Sequence, residues 1–294
     1  MRKYLLLIAI LSLPMLLMAQ LERKKANPDE KVELTFEAPR LINIFTVEPL
    51  EKKGFHYSIM HTFGEVNGGF QTLFGLDNGA NVRFSFEYGI LDNWSIFAGR
   101  SSLDRVVDLG TRYHLIRQTV DGRVPLSVSF AGSIGANTSD YDFVTEGPYT
   151  FTDRLSYSAQ MMIARKFSDK LSLQVTPMYA IFNRVGAETR IASNETFYFS
   201  TAVMGRYKLT PRTALTTQYV PSFNEDIQSN FAIGVDLETG GHVFQLYFTT
   251  SEALNEPYLL ATQNGDFFAR EYRFGFNINR IFSFDRKAKR AAKQ

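Results

Sequence analysis

The sequence predicts an all-β protein, a transmembrane antiparallel up-and-down β-barrel of about twelve strands. Three observations lead to this prediction: strand-length runs of alternating polarity, connections that are alternately short and long, and an N-terminal stretch typical of an export signal. The alternation is clearest in "NVRFSFEYG" (81–89), where Phe84 and Phe86 share one parity and Arg83 and Glu87 share the other. Because successive side chains of a strand point to opposite faces, this run has one aromatic and one polar face.

The first nineteen residues are predicted to be a cleaved signal peptide. Arg2 and Lys3 precede an apolar run from Tyr4 to Met18, which is shorter than the ~20 residues that a membrane helix needs. The mature chain is therefore expected to begin at Gln20. Its 30 basic and 30 acidic residues then balance, which disfavours a nucleic-acid partner, and the absence of cysteine excludes disulfides and thiol chemistry.

Residues 20–54 form a segment of mixed charge with Pro28, Pro39 and Pro49 and two short apolar stretches. We expect an irregular N-terminal segment that either stays in the periplasm or plugs the lumen. Residues 285–294 are predicted to be a basic periplasmic tail.

The barrel itself is assigned to residues 55–284. Its strand-like runs are mostly near the 9 to 11 residues that a tilted strand needs to cross a bilayer. The runs are 55–64, 80–89, 94–102, 105–117, 124–134, 155–166, 171–182, 196–208, 213–221, 229–237, 242–250 and 270–282. Fourteen strands are possible if the N-terminal stretches join the sheet.

The connections between these runs predict the orientation of the barrel. Those at 90–93, 118–123, 168–170, 209–212 and 238–241 are tight and rich in turn residues. The alternate connections are mostly long, at 65–79, 135–154, 183–195, 222–228 and 251–269. Outer-membrane barrels have short periplasmic turns and longer outer loops, so both termini are expected in the periplasm of a Gram-negative bacterium.

The two faces of the strands indicate which side meets lipid. The bulky face is aromatic and aliphatic, whereas the opposite face is rich in Ser, Gln, Thr and Asn and has few charges. We therefore expect the bulky face to contact outer-membrane lipid and lipopolysaccharide. The residues expected to line the lumen are Arg83, Glu87, Asp108, Arg112, His114, Gln160, Gln174, Arg206, Asp236 and Arg273. The aromatics expected at the membrane interfaces are Tyr88, Trp94, Tyr113, Tyr207 and Tyr219.

The inward charges have two interpretations. They could select solutes by charge at a constriction, or they could form a structural network that neutralises a packed interior. Arg83 and Glu87 lie four residues apart, hence about 13 Å, so each needs a partner on another strand. About twelve strands give a lumen that is narrow or blocked by an inserted segment.

Four segments also carry a family resemblance: "GLDNGANVRFSFEYGILDNWSIFAGRS", "RYHLIRQ", "GGHVFQLYFTTS" and "REYRFGFNINRIF". On these residues the chain resembles an uncharacterised outer-membrane β-barrel family of Gram-negative bacteria. The resemblance covers most of the mature chain from "RLINIFTVEPL" onward. It implies the barrel and supplies no substrate or catalytic residue.

Three functions remain open on the sequence alone. The leading hypothesis is a narrow pore for a small solute, and the alternative is a non-conducting scaffold that docks a periplasmic or surface partner. A barrel-type lipid hydrolase is third, because only His61 and His242 share parity with the lipid face and neither has a nucleophile motif. We therefore expect no enzymatic activity. No metal or cofactor is expected, since the acidic residues of 135–154 match no calcium-loop spacing.

Overall fold

The structure, a computed structural model, describes residues 30–140, 150–186 and 189–284. Twelve antiparallel strands form a closed barrel, and each strand pairs with its neighbours in the chain. The barrel strands are β3 (Gly54–Glu65), β4 (Ala80–Leu91), β5 (Trp94–Ser101), β6 (Val107–Ile116), β7 (Ser127–Ala136), β8 (Leu155–Lys166), β9 (Leu171–Phe182), β10 (Phe197–Thr210), β11 (Thr213–Val220), β12 (Asn230–Glu238), β13 (His242–Thr249) and β14 (Arg273–Ser283). The predicted up-and-down barrel and its twelve strand runs are confirmed.

Closure of the sheet depends on the pairing of the last strand with the first. β14 pairs with β3 along the full length of both strands, from Arg273 opposite Glu65 to Ser283 opposite Gly54. Every strand therefore has two hydrogen-bonded neighbours. This is required in hydrocarbon, where each unpaired backbone group costs several kcal/mol.

The alternation in sequence becomes an alternation in burial. In β5, Ser95 and Phe97 are buried inside the barrel, whereas Trp94 and Ile96 are exposed on its outer surface. The same period occurs in β4, where Phe84 and Phe86 are each 42% exposed and Arg83 is fully buried. The outer surface is thus the apolar one, as a lipid-facing surface must be. Among the described residues, no helix is long and apolar enough to cross a membrane.

The N-terminal segment enters the lumen rather than the barrel sheet. Its residues 35–50, which we call the plug, contain a two-stranded hairpin of β1 (Arg40–Leu41) and β2 (Ile44–Phe45). These two strands pair only with each other in the described chain, so the possibility of fourteen barrel strands is wrong. The segment is also less irregular than expected, because the hairpin satisfies backbone groups that the filled interior screens from water.

The outer end of the lumen is filled by the long connection after β13. Residues 250–265, which we call the cap, include a short helix α1 (Glu256–Ala261) whose six residues are all buried. Pro257 stands near its start, where the missing N–H costs no hydrogen bond. The helix packs against β8, β9 and β10. Plug and cap therefore meet inside the barrel.

Candidate functional site

The polar lumen wall and the plug form the candidate site. The inward residues predicted from sequence lie on this wall, and all of them except Arg273 are buried. Arg273 is half-buried near the outer end, where it donates to Glu65 Oε1 at 2.7 Å and to the carbonyl of Thr250 at 3.0 Å. The structure thus gathers these residues around one interior that the plug occupies.

Side chains of opposite charge on two strands of the wall form two ion pairs. Arg83 on β4 donates to both carboxylate oxygens of Asp108 on β6, at 2.5 and 2.8 Å. Four residues further along both strands, Arg112 on β6 donates to Glu87 on β4 at 2.8 and 2.9 Å. β4 and β6 run parallel on either side of β5. On each strand the two charged residues are four positions apart, so both pairs can form at once. The prediction that Arg83 and Glu87 find partners on other strands is confirmed.

Small residues on β5 make these contacts possible. A Cβ at Gly99 would lie 2.2 Å from Nη2 of Arg83, so a larger residue there would have to displace the guanidinium from its path over β5. Ser95 occupies the equivalent position in the second pair and donates to Glu87 Oε1 at 2.5 Å. A glycine in a strand can mark a close approach, but the sequence does not show which group approaches it.

The wall holds the plug mainly by bonds to its backbone. Gln174 accepts from the amide of Val47 and donates to the carbonyl of Phe45, at 3.0 and 2.8 Å. Asn277 donates to the carbonyl of Ile42 at 2.6 Å, and Arg112 donates to that of Thr46 at 2.8 Å. Amide side chains from opposite sides of the barrel therefore replace the strand partners that the hairpin lacks.

Arg40 connects the plug to the cap. Its guanidinium donates to Glu256 Oε1 at 2.5 Å, and both side chains are almost completely buried. It also lies over the ring of Phe45, 3.6 Å from the centroid. A second link runs from Asn43 Nδ2 to the carbonyl of Ala253 at 3.0 Å. The N-terminal segment and the long connection after β13 are thus in direct contact at the centre of the barrel.

The remaining predicted lumen residues lie around this centre. Arg206 pairs with Glu37 of the plug and donates to the carbonyl of Leu34. Asp236 on β12 is buried opposite Gln245 in register. Gln160 donates to Glu256 at 3.3 Å.

Sequence reasoning missed the partners that the plug and cap contribute, namely Arg40, Glu37, Asn43 and Glu256. A charged residue between apolar neighbours, as in "APRLINIF" (38–45), is the one signal that could have found Arg40. Nothing in the local pattern points to Glu256, because its burial depends on how the long connection folds back into the lumen.

The histidines divide between the two faces. His56 and His114 are buried inside, where His56 bonds Asn279 Oδ1 at 3.1 Å and His114 bonds Ser129 Oγ at 2.7 Å. His61 stacks on Phe276 at a centroid distance of 4.5 Å, and its Nδ1 has no hydrogen-bond partner among the described residues. No group of three His, Asp or Glu side chains in the described part of the chain could hold a metal ion.

The predicted interface aromatics are exposed on the outer surface near strand ends. Tyr219 lies near the outer end of β11 and is 45% exposed. The other four lie near the opposite ends of their strands, at the end of the barrel that carries the tight turns: Tyr88, Trp94, Tyr113 and Tyr207. Trp94 also donates its indole N–H to Thr111 at 2.7 Å. Exposed aromatics at this height suit a lipid headgroup region.

Comparison with known proteins agrees with the barrel. A family model described as "Membrane bound beta barrel domain (DUF5777)" matches residues 36–282. No curated protein matches the chain.

Several solved structures are similar at low identity. The NanC porin is 9% identical with a TM-score of 0.46, over 79% of this chain and 99% of that one. The COG4313 outer membrane channel from Pseudomonas putida F1 is 13% identical with a TM-score of 0.44, over 79% and 96%. Outer membrane phospholipase A from Escherichia coli is 13% identical with a TM-score of 0.43, over 82% and 94%. With TM-scores below 0.5, these likenesses give no information on what this chain binds or does.

Proposed function

The chain belongs to the DUF5777 family of membrane-bound β-barrel domains, and from this premise we propose that it is an outer-membrane passage for a small polar solute that the plug and cap keep closed. The observation that carries the proposal is that the plug is held in the lumen by side chains of the wall and is not part of the barrel sheet. Its displacement would leave all barrel strand pairs intact.

The polarity of the wall supports a lumen that water enters at some stage. Gln174, Gln218, Gln245 and Asn277 are each no more than 1% exposed, and all four bond atoms of the plug. Without the plug they would line a polar route. The same amide groups that bond the plug in the closed state would then be free to bond water or a polar solute.

The tip of the plug supports a segment that rearranges. Ile42 is fully buried and has a left-handed backbone, with φ of 57°. A β-branched residue in this conformation costs on the order of 1–3 kcal/mol, which surrounding contacts must offset. The closed state therefore stores strain that leaving the lumen would relieve.

A non-conducting scaffold is the second candidate, and the Arg40–Glu256 pair favours it. The pair ties the plug to the cap at 2.5 Å inside a filled interior. In this case, the barrel would serve to present its outer loops or periplasmic segment to a partner.

Single-channel recording in planar bilayers separates the two candidates. The variant is Arg40→Ala/Phe45→Ala, which removes the link to the cap and the ring that Arg40 covers. We expect the wild type to be mostly silent and the variant to show discrete conductance steps. Leu34→Ala is the control, because this side chain is 49% exposed and should leave the channel closed. A silent variant whose plug is demonstrably loosened would establish the scaffold instead.

We also propose that the barrel is not an enzyme. Of the two histidines on the lipid-facing parity, His61 stacks on Phe276 and His242 lies against Arg280 at 2.6 Å. Neither contact supplies a nucleophile. Release of fatty acid from phospholipid vesicles by the purified protein would overturn this assignment.

A further inference from the structure

A cavity of about 490 Å³ opens at the outer end of the barrel, away from the plug. It lies between the outer end of β10, the connection 221–229 and the end of the cap. Its size is within the range of ~300–1,000 Å³ typical of small-molecule sites.

The cavity coincides with a break in strand pairing. β10 pairs with β9 from Phe197 onward, but its pairing with β11 begins only at Val203 opposite Tyr219. Pro221, which has no N–H to donate, follows the end of β11. Inward and outward residues of 197–200 both line the cavity, so it follows the unpaired edge of β10.

The lining has two chemical zones. Val220, Leu259 and Leu260 give an apolar interior. Phe199 and Phe223 stack at a centroid distance of 6.0 Å on the outer side, and Phe223 is 65% exposed.

The rim of the cavity is acidic. Glu195, Glu225 and Asp226 contribute to it and are exposed, whereas none of the described residues that line it is Lys, Arg or His. Carboxylates and aromatic faces both attract cations, and this lining would repel a phosphate or carboxylate.

We propose that this cavity is a binding site for a small cationic amphiphile, with its apolar body against Val220 and Leu260 and its ammonium group between Phe223 and the acidic rim. The proposed site does not depend on whether the barrel conducts, because it requires no movement of the plug. A ligand there would contact the cap directly through Leu259 and Leu260.

The test compares three probes with one apolar body and different charges: 4-phenylbutylamine, 4-phenylbutanol and 4-phenylbutyrate. Binding is measured by ligand-observed NMR with the full chain in zwitterionic lipid nanodiscs, and empty nanodiscs give the background. We expect saturable binding in the order amine, alcohol, acid. Equal or tighter binding of the acid or the alcohol, or no binding above background, would overturn the proposal.

Two variants locate the binding in the cavity. Glu225→Gln/Asp226→Asn should weaken amine binding about tenfold and leave alcohol binding unchanged, because two exposed ion pairs contribute at this level. Phe223→Ala should weaken the amine about threefold. Asp77→Asn and Phe70→Ala, exposed residues of the connection between β3 and β4, are the matched controls. Amine binding that is equal in the cavity variants and the controls would place it elsewhere and refute the site.

Discussion

Gly99 leaves open the path of the Arg83 guanidinium to Asp108, since a Cβ there would lie 2.2 Å from that guanidinium. We predict that Gly99→Ala lowers the free energy of unfolding by about 1–3 kcal/mol, as overpacked sites do. Urea unfolding in lipid vesicles measures the change. Gly132→Ala is the matched control, because its Cβ would meet nothing closer than Ser158 O at 3.5 Å. Equal stability of the two variants would refute the role of Gly99.

Asp121 organises the turn between β6 and β7, outside the membrane-spanning strands. Its carboxylate accepts from Thr119 Oγ1 at 2.7 Å and from the backbone and side chain of Arg123 at 3.1 and 2.6 Å. These bonds, led by that from Thr119, lower the pKa of Asp121 from 3.8 to about 2. Because the folded pKa is depressed, the stabilisation is complete above the unfolded value and is lost as pH falls through the folded one.

We predict that Thr119→Val raises the pKa of Asp121 toward its ordinary value, because it removes the leading hydrogen bond. A pH titration of the Asp121 carboxyl carbon by NMR measures it. Ser168→Ala, which changes the turn between β8 and β9, should leave the pKa of Asp121 unchanged. An unaltered pKa in Thr119→Val would show that Arg123 alone causes the shift.

The plug is held as a unit by its central contact with the cap. Removing one partner of a buried ion pair leaves an uncompensated charge and costs about 3–5 kcal/mol, whereas removing both costs less than the sum. We therefore predict that Arg40→Gln and Glu256→Gln each speed amide exchange in residues 35–50, and that the double variant exchanges no faster than the worse single one. Hydrogen-exchange mass spectrometry measures these rates.

The control for these three variants is an exposed ion pair at the same end of the barrel as the cap. Arg190 pairs with Glu252 at 2.6 Å but is 56% exposed, so the pair contributes at most about 1 kcal/mol. Arg190→Gln should leave exchange of the plug unchanged. If Arg40→Gln behaves in the same way, the link between plug and cap does not hold the closed state.

The barrel strands could be predicted from sequence. Of the elements inside the barrel, a lumen plug is one of two alternatives that the sequence leaves for residues 20–54, but its hairpin and α1 could not be predicted. A strand with one face on lipid must alternate, so runs such as 155–166 and 171–182 match β8 and β9 residue for residue. The plug and α1 are surrounded by wall on all sides, so no lipid or water imposes a period on them. Their positions depend on contacts over 200 residues apart in sequence, such as Arg40 with Glu256. The sequence around each residue does not indicate such a distant partner.

The molecule as a whole has two different ends. The connections that include 92–93 and 211–212 are tight, whereas the opposite end carries long connections such as 66–79 and 250–272. The N-terminal segment enters at the tight end, where Val32 donates its amide to the carbonyl of Gln118 at 2.9 Å. Because outer-membrane barrels keep their short turns in the periplasm, we predict that the plug reaches the lumen from the periplasm and the cap from the cell surface.

This orientation can be tested with single cysteines, because the chain has none of its own. Asp77 lies in the long connection between β3 and β4, and Asn93 lies in the tight turn between β4 and β5. The reagent is a maleimide attached to 5-kDa polyethylene glycol, which is about the mass of a small protein and too large to pass a filled barrel. We predict that it labels Asp77→Cys on intact cells. Asn93→Cys should be labelled only after the outer membrane is permeabilised. If only Asn93→Cys is labelled on intact cells, the barrel has the opposite orientation and the plug enters from the cell surface.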